Sequence, residues 1–126
     1  MTTGDHHLIL VVEDDADIAE AMVAILEGEG YAVVHASDGE EALRVLRDGL
    51  RPSLIVLDLL MPRMDGLQFR RVQQSDPNIS RVPVVVVSGV AYMVNEIRSM
   101  GVARWFQKPV DVDALLGAVS DLCAAA

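Results

Sequence analysis

The strongest constraint in this sequence is the alternation of two hydrophobic periods. Segments 8–12, 31–36, 54–57, 82–87 and 102–106 are short, mostly apolar and rich in β-branched residues. They are too short for helices, and strands buried on both faces read this way. Helical patterns separate them. Ile18, Ala21, Met22, Ile25 and Leu26 follow the i, i+3, i+4, i+7, i+8 spacing, and Gly28 and Gly30 close that segment. Val90, Met93, Val94, Ile97 and Met100 repeat the spacing up to Gly101, and Val112, Leu115, Leu116, Val119 and Leu122 repeat it again. Helix starts are marked too. Asp38 with Glu41 and Asp65 with Gln68 have capping-box spacing, and Asp111 stands where a cap would start the last helix. Five strands alternating with five helices predict an α/β fold: an open, doubly wound parallel sheet with helices on both faces. A closed barrel needs more units than 126 residues hold.

Length predicts one domain over residues 1–126, with a core of about 8–122 and a short tail at 1–7 that includes His6 and His7. Hydrophobic residues at 52% and charged residues at 23% suit a packed core rather than a disordered chain. A lone cysteine, Cys123, excludes an internal disulfide and fits a reducing compartment, so the expected location is cytoplasmic. No apolar run approaches the roughly 18 residues of a membrane span, and no basic signal-peptide start is visible. A net charge of −9 disfavours direct nucleic-acid contact through a basic face.

An open doubly wound sheet places ligands outside the carboxyl ends of its strands. Those ends carry Glu13-Asp14-Asp15 after the first strand, Asp58 after the third, Ser88-Gly89 after the fourth and Gln107-Lys108-Pro109 after the fifth. Each has an ordinary reading. Asp14 and Asp15 would cap a helix, Asp58 and Ser88 would serve a turn, and Lys108 would be a solvated charge. Gathered on one rim they mean more, because crowded carboxylates repel and at least one pKa should rise unless a cation is present. Three carboxylates, one Mg²⁺ and one ammonium sum to zero charge, and oxygen donors without His or Cys suit Mg²⁺ rather than zinc. Lys108 is the only lysine in the chain.

These residues resemble the receiver domain of two-component response regulators. The resemblance runs over about residues 8–122. It rests on Leu10-Val11-Val12-Glu13-Asp14-Asp15, Gly30-Tyr31-Ala32-Val33 with Ala36-Ser37-Asp38-Gly39-Glu40-Glu41-Ala42-Leu43, Asp58-Leu59-Leu60-Met61-Pro62-Arg63-Met64-Asp65-Gly66, Pro83-Val84-Val85-Val86-Val87-Ser88-Gly89 and Lys108-Pro109. It implies a flavodoxin-like strand order 2-1-3-4-5. Asp58 is then the phosphoacceptor, taking a phosphoryl group from a histidine kinase or phosphotransfer protein. Glu13, Asp14, Asp58 and the backbone carbonyl of Leu60 would hold Mg²⁺. Lys108 and Ser88 would bind phosphoryl oxygens, and the Lys108-Pro109 bond would be cis. Ser88 and Trp105 would form the switch, with docking or homodimerisation through the fourth helix, fifth strand and fifth helix. Against the family pattern, Trp105 replaces a Tyr or Phe, Leu60 and Val90 are apolar where many members are polar, and Val110 replaces a common Phe. The last change is expected to matter little.

Two other functions remain in play. A haloacid-dehalogenase-like phosphatase also uses a strand-end Asp with Mg²⁺, but its Asp-x-Asp-x-Thr pattern meets Leu60 at the second Asp. An unphosphorylated receiver-like interaction module would typically lose the acidic pair, the acceptor or the lysine, and all of these are present.

Overall fold

The computed structural model describes residues 7–61, 63–89 and 94–125. His6, Pro62, Val90 and Met93, named above, lie outside the described residues.

The chain alternates β1 (Leu8–Val12), α1 (Ala16–Gly28), β2 (Ala32–Ala36), α2 (Gly39–Arg47), β3 (Leu54–Asp58), α3 (Gly66–Ser75), β4 (Val84–Ser88), α4 (Val94–Ser99), β5 (Arg104–Gln107) and α5 (Val112–Ala125). All four strand pairings are parallel, in the order β2-β1-β3-β4-β5. The central strands β3 and β4 are buried along their whole length. That is why their sequences are continuous apolar runs rather than alternations. Side chains on one sheet face, such as Leu10, Ile55, Leu57 and Val86, pack with Leu43, Leu46, Phe69 and Ile97 of α2, α3 and α4. Those on the other, such as Ile9, Val11, Val56 and Val85, pack with Met22, Leu26, Leu115 and Val119 of α1 and α5. Burying each such aliphatic side chain is worth about 1.5–3 kcal/mol.

The caps follow the sequence with one change. Asp65 and Gln68 form the full capping box at the start of α3. Asp111 accepts from the Ala114 N–H at 3.1 Å. Asp38 accepts from the Glu41 N–H at 2.8 Å, but the Glu41 carboxylate takes the Ser37 hydroxyl instead of closing the box. The second Asp38 oxygen accepts from Arg63. At α1 the cap is Asp15, which accepts from the Asp17 and Ile18 N–H groups, leaving Asp14 free of capping duty.

Two sequence expectations shift. Helix α1 buries Ala19, Met22 and Leu26, while Ile18 and Ala21 face outward. Apolar residues run almost all the way round this helix, so periodicity does not single out the buried stripe. His7, placed in the tail by sequence, is joined to the sheet: its Nδ1 pairs with the Ser53 hydroxyl at 3.0 Å, and its carbonyl accepts from Ala32. Cys123 is buried in the α1/α5 layer as a small apolar residue.

A buried polar network went unread in the sequence. Arg70, only 7% exposed, donates to the Met100 and Gly101 carbonyls and to Gln73, and Gln74 also donates to the Met100 carbonyl. These side chains satisfy carbonyls at the end of α4, which a helix leaves unpaired.

Candidate functional site

The sheet brings the chemistry to one rim. Val12 pairs with Leu57 and Asp58 with Val87, so the end of β1 and the ends of β3 and β4 are level. Glu13 follows β1 and is fixed by its N–H to the Ala36 carbonyl. Ser88 closes β4, buried and paired in register with Gln107, and its carbonyl accepts from the Lys108 N–H at 2.8 Å. The next bond, Lys108-Pro109, is cis.

Lys108 closes the arrangement. Its Nζ donates to Glu13 Oε1 at 2.9 Å and stands 3.5 Å from Asp58 Oδ2. Carboxylate oxygens of Glu13, Asp14 and Asp58 lie within 4.8 Å of one another. Glu13 and Asp58 are buried and Asp14 is exposed. Burial pushes the Asp58 carboxyl up to about 6, helped by the Glu13 charge and opposed by Lys108. Burial also acts to raise Glu13, but hydrogen bonds from Lys108 and the Asp15 N–H outweigh it and hold Glu13 below its usual value. Partial burial and the Glu13 carboxyl raise Asp14. Lys108 is raised: burial works against its charge, but Glu13 and Asp58 prevail.

Two carboxyls pushed up and one held down by a lone ammonium describe a cluster short of positive charge. Its donors are all oxygen, with neither imidazole nor thiolate, and three hard ligands around a space of this size fit Mg²⁺.

Neighbouring loops hold the cluster in place. A Cβ on Gly66 would stand 2.6 Å from the Asp58 carbonyl and 2.8 Å from Leu59 Cα, so the start of α3 packs directly on the end of β3. Arg63, at φ 63°, holds the β3–α3 loop against α2 through its ion pair with Asp38. Leu60 belongs to that loop, with its side chain out in solvent. His35, which the sequence reading passed over, pairs its Nε2 with the Glu13 carbonyl at 2.7 Å. A lone His on an edge strand carries no local signal of such a role.

Trp105 stands apart from the carboxylates. On β5 it pairs with Val86 of β4, one pleat repeat from the Ser88–Gln107 pair and therefore on the same sheet face as Ser88. It is 37% exposed. The structure thus gathers Glu13, Asp14, Asp58 and Lys108 at one point, sets Ser88 on the adjoining strand end, and puts Trp105 further down that strand pair.

The family model for the response regulator receiver domain matches residues 9–120. Among curated relatives, the DNA-binding response regulator MtrA of Mycolicibacterium paratuberculosis is 36% identical over 113 residues, which is 88% of this chain and 48% of that protein. The sporulation initiation phosphotransferase F of Bacillus subtilis is 34% identical over 112 residues, covering 88% of this chain and 89% of that protein. The chain thus spans about half the length of the MtrA relatives and most of the second. Among solved structures, the signal receiver domain of a signal transduction histidine kinase from Syntrophus aciditrophicus superimposes with a TM-score of 0.88 at 33% identity, covering 94% of this chain and 91% of that one. A response regulator receiver protein from Pseudomonas putida gives 0.85 at 32% identity, over 91% of this chain and 96% of that one. With the family model spanning nearly the whole chain, this protein belongs to the response regulator receiver domain family.

Proposed function

We propose that this chain is a phosphoacceptor switch in which Asp58 receives a phosphoryl group from a histidine kinase or phosphotransfer protein. Receiver domains are signalling switches rather than dedicated enzymes, and they bind Mg²⁺ at an acidic cluster. The observation that carries the reading is Lys108 Nζ set between Glu13 and Asp58 within a three-carboxylate cluster. An Asp58 oxygen forms the new bond to phosphorus as the phosphorus–nitrogen bond of the donor phosphohistidine breaks, and the electron pair stays on the imidazole. The Lys108 ammonium neutralises phosphoryl oxygens, and the Ser88 hydroxyl donates to one of them. Glu13, Asp14, Asp58 and the Leu60 carbonyl would hold Mg²⁺. When bound, Mg²⁺ supplies further neutralisation of the charge on the transferring group.

Readout runs through Ser88 and Trp105 to a face built from α4, β5 and α5, where a partner or a second copy docks. The net charge of −9 argues that this chain does not itself grip nucleic acid. Among the described residues no helix is long and apolar enough to cross a membrane. With the free, buried Cys123, this supports a cytoplasmic setting.

The test is intact mass after incubation with Mg²⁺ and acetyl phosphate. One phosphate should add to the wild type and none to Asp58→Asn; equal labelling of the variant would place the acceptor elsewhere.

A further inference from the structure

The loop that joins β3 to α3 carries the Leu60 carbonyl. Its base is closed by the Gly66 N–H, which donates to the Leu59 carbonyl at 2.9 Å. Leu60 is 54% exposed, so its own packing does little to hold it. Further along, Met61 and Met64 pack against the core, and the turn between them is tied to the start of α2. Both Nε and Nη2 of Arg63 donate to one oxygen of Asp38, Nε at 2.7 Å. The other Asp38 oxygen accepts from the Glu41 N–H and is committed to capping α2. Alongside, the Gly39 N–H donates to the Met64 carbonyl at 3.3 Å. Two features set Arg63 apart from an ordinary surface charge. Among the described residues it is the only one other than glycine with a positive φ. A residue with a Cβ enters that region at a cost, and such outliers persist where their surroundings over-determine them. Its partner is also buried: Asp38 is 2% exposed, and Arg63 reaches it from solvent. The Glu41 N–H and Arg63 together keep the Asp38 carboxyl below its ordinary value despite that burial.

We propose that Arg63 and Asp38 are positioning residues for the metal: their ion pair holds the β3–α3 loop so that the Leu60 carbonyl is available to Mg²⁺ at the carboxylate cluster. The proposal rests on Leu60 as a metal ligand, the reading given above. The three carboxylates stand at or next to strand ends and are placed by the sheet. The carbonyl sits on a loop, and something outside the sheet has to place it. Mg²⁺ demands near-ideal octahedral geometry, so a main-chain ligand serves it only from a loop that is held still. Groups that orient metal ligands are typically worth about 10–100-fold in affinity, and for one main-chain ligand among several we expect about tenfold. Charge alone predicts a different pattern. Removing the Arg63 cation makes the acidic rim more attractive to Mg²⁺, and removing the Asp38 anion makes it less so. Positioning predicts weaker binding in both cases.

The experiment titrates Mg²⁺ calorimetrically into the wild type, Arg63→Gly, Asp38→Asn and the double variant. Glycine adopts φ 63° freely and asparagine still caps α2, so each change removes the ion pair and spares the local backbone. Each single variant should bind Mg²⁺ about tenfold more weakly, and the double variant no more weakly than the singles, because the pair is lost only once. Val119→Ala, buried in the α1/α5 layer, is the stability control. Its urea midpoint in EDTA should fall while its Mg²⁺ affinity stays that of the wild type. Opposite shifts in the two single variants, unchanged affinity in both, or an equal loss in Val119→Ala would each overturn the proposal. Wild-type Mg²⁺ binding that neither variant disturbs leaves Asp58 as acceptor, whereas a wild type that neither binds Mg²⁺ nor is labelled by acetyl phosphate removes both readings.

Discussion

Burial and the Glu13 charge hold the Asp58 carboxyl at about 6, against an ordinary value of 3.8. An acid raised on folding binds more protons in the native state between those two values, so its contribution to stability falls as pH rises through that window. Below about pH 3.8 both states are protonated and the penalty vanishes. In metal-free protein, Asp58→Asn should therefore stabilise at pH 7.5 by about 1–3 kcal/mol, with the gain shrinking between pH 6 and pH 4. Urea melts in EDTA across that range check it, and a gain independent of pH would exclude the ionised carboxylate as its source. The same crowding makes Asp14 matter for the metal. Asp14→Ala should weaken Mg²⁺ at least tenfold, about 1.4 kcal/mol, in a calorimetric titration; unchanged affinity would put the ion elsewhere. At this scale the sequence disclosed which residue types meet, because a parallel α/β sheet sends its strand ends to one rim. That at least one carboxyl should rise was legible too, but not which one rises and which is held down. That choice turns on a burial and a 2.9 Å contact between residues 95 apart in sequence.

At the scale of elements, the start of α3 and the end of β3 act as one piece. Gly66 lets the helix lie against the Asp58 and Leu59 backbone, which cannot move aside as a flexible side chain would. Gly66→Ala should cost about 1–3 kcal/mol through this overpacking and slow labelling of Asp58, whereas Gly117→Ala on α5, with open space at its Cβ, should not destabilise. Denaturant midpoints of the two variants separate these outcomes. Caps at Asp38, Asp65 and Asp111 were readable because they act within three residues of themselves. The buried stripe of α1 was not, since a helix apolar nearly all round has no unique face until a sheet selects one. The Arg70 clasp was equally hidden. An arginine on α3 reads as a solvated charge until α4 ends above it.

For the whole molecule, the expected output is a change of surface around β5. Trp105 is the only tryptophan, so its emission reports one place. Beryllofluoride with Mg²⁺, which mimics the acyl phosphate, should shift that emission, Mg²⁺ alone should do so weakly, and Ser88→Ala should suppress the shift. Emission that ignores beryllofluoride would make Trp105 a static surface residue. Local pattern alone determined the fold class, the number of elements and the rim that carries the site. Hydrophobic period and capping depend on near neighbours, and the crossover rule then leaves few ways to wind the sheet. Tertiary structure alone decided which carboxyl is raised and which is held down, the stripe α1 buries, and the pairing of Arg63 with Asp38. Each of these depends on distances and water exclusion between segments far apart in the chain, which no run of residues specifies by itself.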